Sequence, residues 1–164
     1  MQQATLLASS RSIVPWNRSC HTDYRPSTFP DADIPTVALS LRAGLDPVEH
    51  LRIGQLLEPL RDEGVAIIAS GMSYHNMRDF MSPMAAVHSE AFDAWLSEVV
   101  TAAPGVRDEE LARWSSAPSA RQSHPREEHL LPLMVAAGAA GEDKGRVDFS
   151  GMTMGARVSG HVFG

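Results

Sequence analysis

Three histidines stand where imidazole chemistry fits the local sequence. His75 lies in SGMSYHNMR, directly after the apolar run VAIIA; His124 precedes a proline; His129, five positions on, sits in REEHLLPL. Neutral imidazole is the commonest protein ligand for zinc and ferrous iron, and two or three imidazoles with a carboxylate leave metal positions open for substrate and oxygen. Spacing alone does not separate that chemistry from plainer roles. A histidine in a turn commonly just bonds its neighbours, and His124 suits a cap on the helix that follows it. His50, His88 and His161 have no motif around them and are expected to be solvated. Glu127 and Glu128 are expected to favour the positive end of a helix rather than bind metal.

The elements that must position these groups can be read from local pattern. TVALSL, Thr36 to Leu41, suits a buried strand. A helix should follow: Asp46 is a natural N-cap, Pro47 fits the first helical position and Glu49 completes a capping box. Val48, Leu51, Leu56 and Leu60 are expected on its buried face, with Pro59 disturbing the last turn and Gly64 ending it. VAIIAS, Val65 to Ser70, reads as a strand covered on both faces of a parallel sheet. Together these make a βαβ unit, which places His75 at the carboxyl edge where open α/β sheets bind ligands. SEAFDAWLSEVVTAA and DEELARW are helical, REEHLLPLMVAAGAAG is a helix with its acids in the first turn, and VDFSGM and ARVSGHVF are two short strands. Residues 1–30, with three prolines and no sustained period, read as an irregular arm before a single domain over 31–164.

Bulk properties exclude several partners. The 164 residues carry a formal charge of -6, which disfavours a nucleic-acid footprint and leaves no polybasic surface for anionic lipid. Cys20 is the lone cysteine, so neither an internal disulfide nor a Cys–Cys zinc site forms, as in a reducing cytoplasm. No apolar run reaches the roughly 18 residues of a membrane span. The GxSxG, GxxxxGK[ST], GxGxxG and HExxH patterns are all missing, so a serine hydrolase or nucleotide-binding enzyme is unsupported.

FPDADIP, then GLDPVEHLRIGQLLEPLRDEGVAIIASGMSYHNMR, then FDAWL, then HPREEHLLPLMVAAGAAGED resemble, in order and spacing, the class III extradiol ring-cleavage dioxygenases of the DOPA dioxygenase (LigB-like) type. The resemblance runs from about Phe29 to the carboxyl terminus. It implies an α/β fold, a sheet with a βαβ unit flanked by helices, as a partial version of the class III extradiol dioxygenase fold. It also implies one mononuclear non-haem Fe(II) or Zn(II), with His75 and His129 as metal ligands and His124 as a catalytic residue that orients a catechol or moves a proton. The partners it implies are a small aromatic diol such as DOPA, and O2. Family members supply two further metal histidines from an HGSP-type loop and an SAHW-type strand end, and neither motif occurs here; His21 is a loose echo of a third block. The expectation is therefore the carboxyl-terminal portion of the catalytic domain, an oxidoreductase truncated and impaired in activity. The alternative is a non-catalytic remnant or interaction module. An exposed strand edge at TVALSL or VAIIAS should make such a piece a homo-oligomer or prone to aggregate.

Overall fold

The computed structural model describes residues 3–7 and 36–164. In chain order the elements are β1 (Gln3–Leu7), β2 (Thr36–Ser40), α1 (Pro47–Leu57), β3 (Ala66–Ala69), α2 (Pro83–Thr101), α3 (Pro104–Ala112), α4 (Ala120–Ser123), α5 (Leu131–Ala139), β4 (Gly145–Thr153) and β5 (Ala156–Phe163), with 3₁₀ turns at Glu58–Arg61 and Trp114–Ser116. The sequence reading anticipated helices mixed with strands, but the sheet differs from it. The first sheet has the order β2-β1-β3, with β1 antiparallel to both neighbours, Thr5 standing opposite Ala38 and Ile68. β2 and β3 therefore point the same way without touching, because Gln3–Leu7, inside the stretch read as an irregular arm, fills the place between them. The rest of that arm, with Cys20 and His21, lies outside the described residues. β3 is also less covered than a doubly buried strand: Ala66 is exposed and its three successors are half-buried. Both β2 and β3 lie on the outer edges of this sheet.

β4 and β5 form a separate antiparallel hairpin. Its two-residue turn, Met154 at φ +52° and Gly155 at φ +81°, has both central residues left-handed, which matches the twist of the flanking strands. The sequence pattern located both strands, matching β5 and underestimating the length of β4.

Helix α1 begins as its sequence indicates: the Asp46 carboxylate accepts from the Val48 and Glu49 N–H groups, and Pro47 stands at the start. The helix gives way to the 3₁₀ turn at Pro59, and Gly64 turns the chain at φ +79°. Its buried face is only partly the one expected. Val48 and Leu56 are exposed, while His50, Leu51 and Gly54 are buried. The reason is a glycine crossing with α5. A Cβ on Gly54 would lie 2.2 Å from the Val135 carbonyl oxygen, and one on Gly138 would lie 2.1 Å from that of Leu51. The two helix backbones touch, so the face that carries Gly54 turns inward together with Leu51, while Val48 and Leu56 turn out. His50, expected in solvent, is 1% exposed. Its Nδ1–H donates to the Asp46 carbonyl at 2.6 Å and its Nε2 accepts the Arg42 N–H at 3.1 Å.

α2 starts earlier than its apolar pattern suggests, because Ser82 caps the Met84 and Ala85 N–H groups and Pro83 follows. α5 starts later, at Leu131. A helix running back through Glu128 would put that residue's carbonyl against the ring of Pro132. The acids thus stand in a turn before α5 rather than in its first turn, paired as Arg121–Glu127 at 2.8 Å and Arg126–Glu128 at 3.4 Å.

The core lies among the helices, built from Leu51, Phe92, Leu96, Leu111, Trp114 and Leu131 with their neighbours. The turn after α5 is held by two arginines. Arg61 donates to the Ala139 and Ala140 carbonyls, and fully buried Arg107 donates to those of Gly141 and Asp143. These carbonyls stand at the helix end and in the turn just beyond it, where cations also suit the helix dipole. Among the described residues no helix is long and apolar enough to cross a membrane.

In an exposed helix, Gly→Ala stabilises by about 1 kcal/mol. Here the sign should reverse: Gly138→Ala and Gly54→Ala are each expected to destabilise by at least about 2 kcal/mol through overpacking, measured by urea unfolding. A gain in stability from either variant would disprove the backbone contact.

Candidate functional site

Two loops build the site. One follows β3 and runs from Ser70 to Ser82; the other joins α4 to α5 and contains His124 to Leu130. Neither loop has regular structure of its own, so each must satisfy its backbone groups elsewhere. The first does so with the second and with α4. The Met72 N–H donates to the His129 carbonyl at 3.0 Å, the His75 N–H donates to that of Ser123 at 2.9 Å, and the Asn76 amide donates to that of Gln122 at 2.8 Å. Gly71 permits this approach, since a Cβ there would stand 2.3 Å from the His129 carbonyl oxygen.

The consequence for the side chains is direct. The His75 and His129 rings, 54 positions apart in sequence, lie face to face with centroids 3.2 Å apart and planes inclined by 17°. Both residues are half-buried. Burial, reinforced by the charge of His75 and opposed by Glu128, holds the His129 pKa below the usual histidine value. It is therefore neutral at pH 7, the form in which imidazole offers a lone pair to a metal.

His124 stands apart from that pair. Its ring is completely buried, edge-on to Phe92 at 5.2 Å and to Trp114 at 5.9 Å. Nε2–H donates to the Ser73 carbonyl at 2.9 Å, which makes Nδ1 the bare acceptor, and Nδ1 has no hydrogen-bond partner. The cap expected from its position is not its main bond. Instead it grips the loop two residues before His75, and Ser73 in turn accepts the Ser159 N–H from β5 at 2.8 Å. On the far side of His75, the Tyr74 hydroxyl donates to Asp79 at 3.0 Å, and Asp79 also takes the Ser82 hydroxyl at 2.5 Å. These bonds, with Ser82 first, hold the Asp79 carboxyl below its usual range. Burial, then Asp79, pushes the Tyr74 hydroxyl up.

Gly71, Ser73, Tyr74 and Asp79 were not singled out by sequence pattern. The one available signal was the small residues Ser70, Gly71 and Ser73 crowded before His75. His161, expected in solvent, is half-buried on β5, with Nε2 3.3 Å from the Ser159 hydroxyl. It lines, with His129, a groove of about 1000 Å3 between β3 and β5.

The two imidazoles stand close together, but an imidazole lone pair lies in its ring plane, and rings stacked within 17° do not by themselves aim both pairs at one ion. Two are fewer than the three protein ligands of an open catalytic site. Among the described residues no group of three or more histidines, cysteines or acids stands together as a metal site.

Burial pushes the His124 pKa from 6.5 down to about 4, with the Ser73 bond opposing and nearby positive groups assisting. The unfolded chain binds a proton there that the folded one refuses. The stabilisation is complete above pH 6.5 and is lost as pH falls toward 4, by up to about 1.4 kcal/mol per pH unit. His124→Gln, whose amide still reaches a carbonyl, is expected to melt with a shallower pH dependence across that window than the wild type. Parallel slopes would place the acid sensitivity elsewhere.

Comparison with known proteins fits this geometry. Residues 25–161 match the family described as the catalytic LigB subunit of aromatic ring-opening dioxygenase. A 4,5-DOPA dioxygenase extradiol of Beta vulgaris is 42% identical over 121 residues, covering 70% of this chain and 43% of that protein. A 4,5-DOPA dioxygenase extradiol of Escherichia coli K12 is 32% identical, covering 77% of this chain and 48% of the relative. The crystal structure of an uncharacterized Escherichia coli K12 protein superposes with a TM-score of 0.73 at 27% identity, covering 84% of this chain and 58% of that one. The chain spans less than half the length of the curated relatives it matches. With the match extending across nearly all of the described residues that build the paired-imidazole site, the chain belongs to the LigB family of aromatic ring-opening dioxygenases.

Proposed function

We propose that this chain is the carboxyl-terminal portion of an extradiol ring-cleavage dioxygenase domain that opens catechol-type aromatic diols, DOPA among them, with O2. The observation that carries the reading is the convergence of His75 and His129 from two loops at 3.2 Å, in a chain of this family. His75 and His129 are assigned as two ligands of one mononuclear non-haem Fe(II) or Zn(II). A metal held there supplies a centre at which a deprotonated diol and O2 meet. The chain's own residues bring those two donors together and partly shield them from water.

His124 is assigned to the reaction through the loop it holds. Fixing the Ser73 carbonyl fixes the backbone two residues before His75, a second-shell arrangement of the kind that sets ligand orientation. Its unpartnered Nδ1 is the atom through which any proton transfer by this residue must pass.

A complete centre requires a further donor beyond the described residues. By itself the chain is expected to bind metal weakly and to open aromatic rings little. A second reading, a non-catalytic remnant that keeps the fold, draws its support from the same two-donor set. The reading places the protein in the cytoplasm, acting on small molecules rather than nucleic acid or membrane.

Calorimetric titration with Zn2+ and anaerobic Fe(II) separates these readings. The pair predicts measurable binding by the wild-type chain that falls by at least about tenfold, the loss typical of even a second-shell partner, in His75→Ala and in His129→Ala, with melting curves confirming the fold. Metal binding indifferent to both variants would refute the assignment. In parallel, Fe(II)-loaded chain should form little yellow ring-opened product from DOPA. Robust turnover abolished by His75→Ala would overturn the prediction of impaired activity and establish the enzyme.

A further inference from the structure

The groove between β3 and β5 is lined by every residue from Val65 to Ala69 and every residue from Ser159 to Phe163. Side chains alternate between the two faces of a strand, so a consecutive run along a groove means that the strand presents its edge. Both edges are unpaired within the described sheets, since β3 ends the β2-β1-β3 sheet and β5 belongs to a two-stranded one. The floor is α5, through Leu133, Ala136 and Ala139, and its alanines leave room for a backbone to come close.

The two ends differ in chemistry. One is closed by Gly71, Ser73 and His129, and the other carries Glu58, Asp62, Glu142 and Asp143 against Arg61. β3 runs from the acidic end toward His129 and β5 runs back, as the bond from Ser159 to Ser73 shows. An inserted strand would lie parallel to one edge and antiparallel to the other. Each edge faces the groove over five consecutive residues, Val65 to Ala69 and Ser159 to Phe163, the length of one ordinary strand.

We infer that this groove is a strand-acceptor slot whose occupant is an extended apolar segment, basic at one end, from the remainder of a LigB-type domain. Inserted there, it joins the two small sheets into one. The inference rests on the reading of this chain as a portion of such a domain. The occupant follows from the coverage: the relatives carry more than half of their length outside the part that this chain matches. Two facing edges over an apolar floor are the geometry in which main-chain hydrogen bonds supply affinity and flanking pockets supply register.

The test is co-expression of this chain with the portion of the Beta vulgaris relative that lies outside the matched region, followed by affinity capture and light scattering. The expected product is a one-to-one complex. Ala136→Trp, which fills the floor, and Asp62→Lys, which reverses charge at the acidic end, should each weaken capture by at least about tenfold, or 1.4 kcal/mol. Val48→Trp, on the exposed outer face of α1, should leave it unchanged, and melting curves of each variant alone check folding. Absence of the complex, a complex insensitive to Ala136→Trp and Asp62→Lys, or a homodimer that Ala136→Trp dissolves would each overturn the inference, the last by giving the groove to a second copy. Neither metal nor ring opening is read, so a bound but inactive complex sustains the slot while counting against the proposed activity.

Discussion

The site depends on one backbone contact. Gly71 passes so close to the His129 carbonyl that no larger residue fits, and the Met72 N–H bonds to that same oxygen. A carbonyl approached this closely fixes the relative height of two loops that have no secondary structure to place them. Everything chemical in the molecule follows from that placement: the two imidazoles meet because the backbones carrying them are already in contact. A looser arrangement would leave each histidine an ordinary turn residue.

The loops can be held so firmly because the scaffold beneath them is packed at the same intimacy. α1 and α5 touch through Gly54 and Gly138, and α5 is the element on which the His129 turn sits. Arg61 and Arg107 anchor the other end of α5 through the carbonyl of its last residue and one in the turn beyond it. The helix is thus pinned at its crossing and its exit, while Pro132 keeps its start from running back into the turn that carries His129. Protein interiors packed at crystal-like density transmit such constraints without much give.

His124 shows how burial redirects a residue's chemistry. Its neighbours in sequence, a proline and two acids, suggest a solvent-facing cap or a catalytic imidazole at a pocket rim. The structure places it between Phe92 and Trp114 with one nitrogen committed to Ser73. Its burial between two aromatic rings and its bond to Ser73 are set by groups far from it in sequence. His50 illustrates the same shift, with both of its ring nitrogens bonded to local backbone.

Local signals were sufficient wherever the determining contact lies within a few residues. The Asp46 cap, the break at Pro59, the turn at Gly64 and the existence of the carboxyl-terminal strands could all be read from neighbouring residue types, because caps, breaks and turns are decided by chemistry at short range. The motif pattern also named the two histidines that the fold brings together. Only the tertiary structure decided that Gln3–Leu7 enters between the two parallel strands, that the glycine face of α1 turns inward, and that His124 serves Ser73. Each of those outcomes depends on groups dozens of residues away, and strand order, helix facing and ring burial are set by where those groups arrive in space, which no local periodicity encodes.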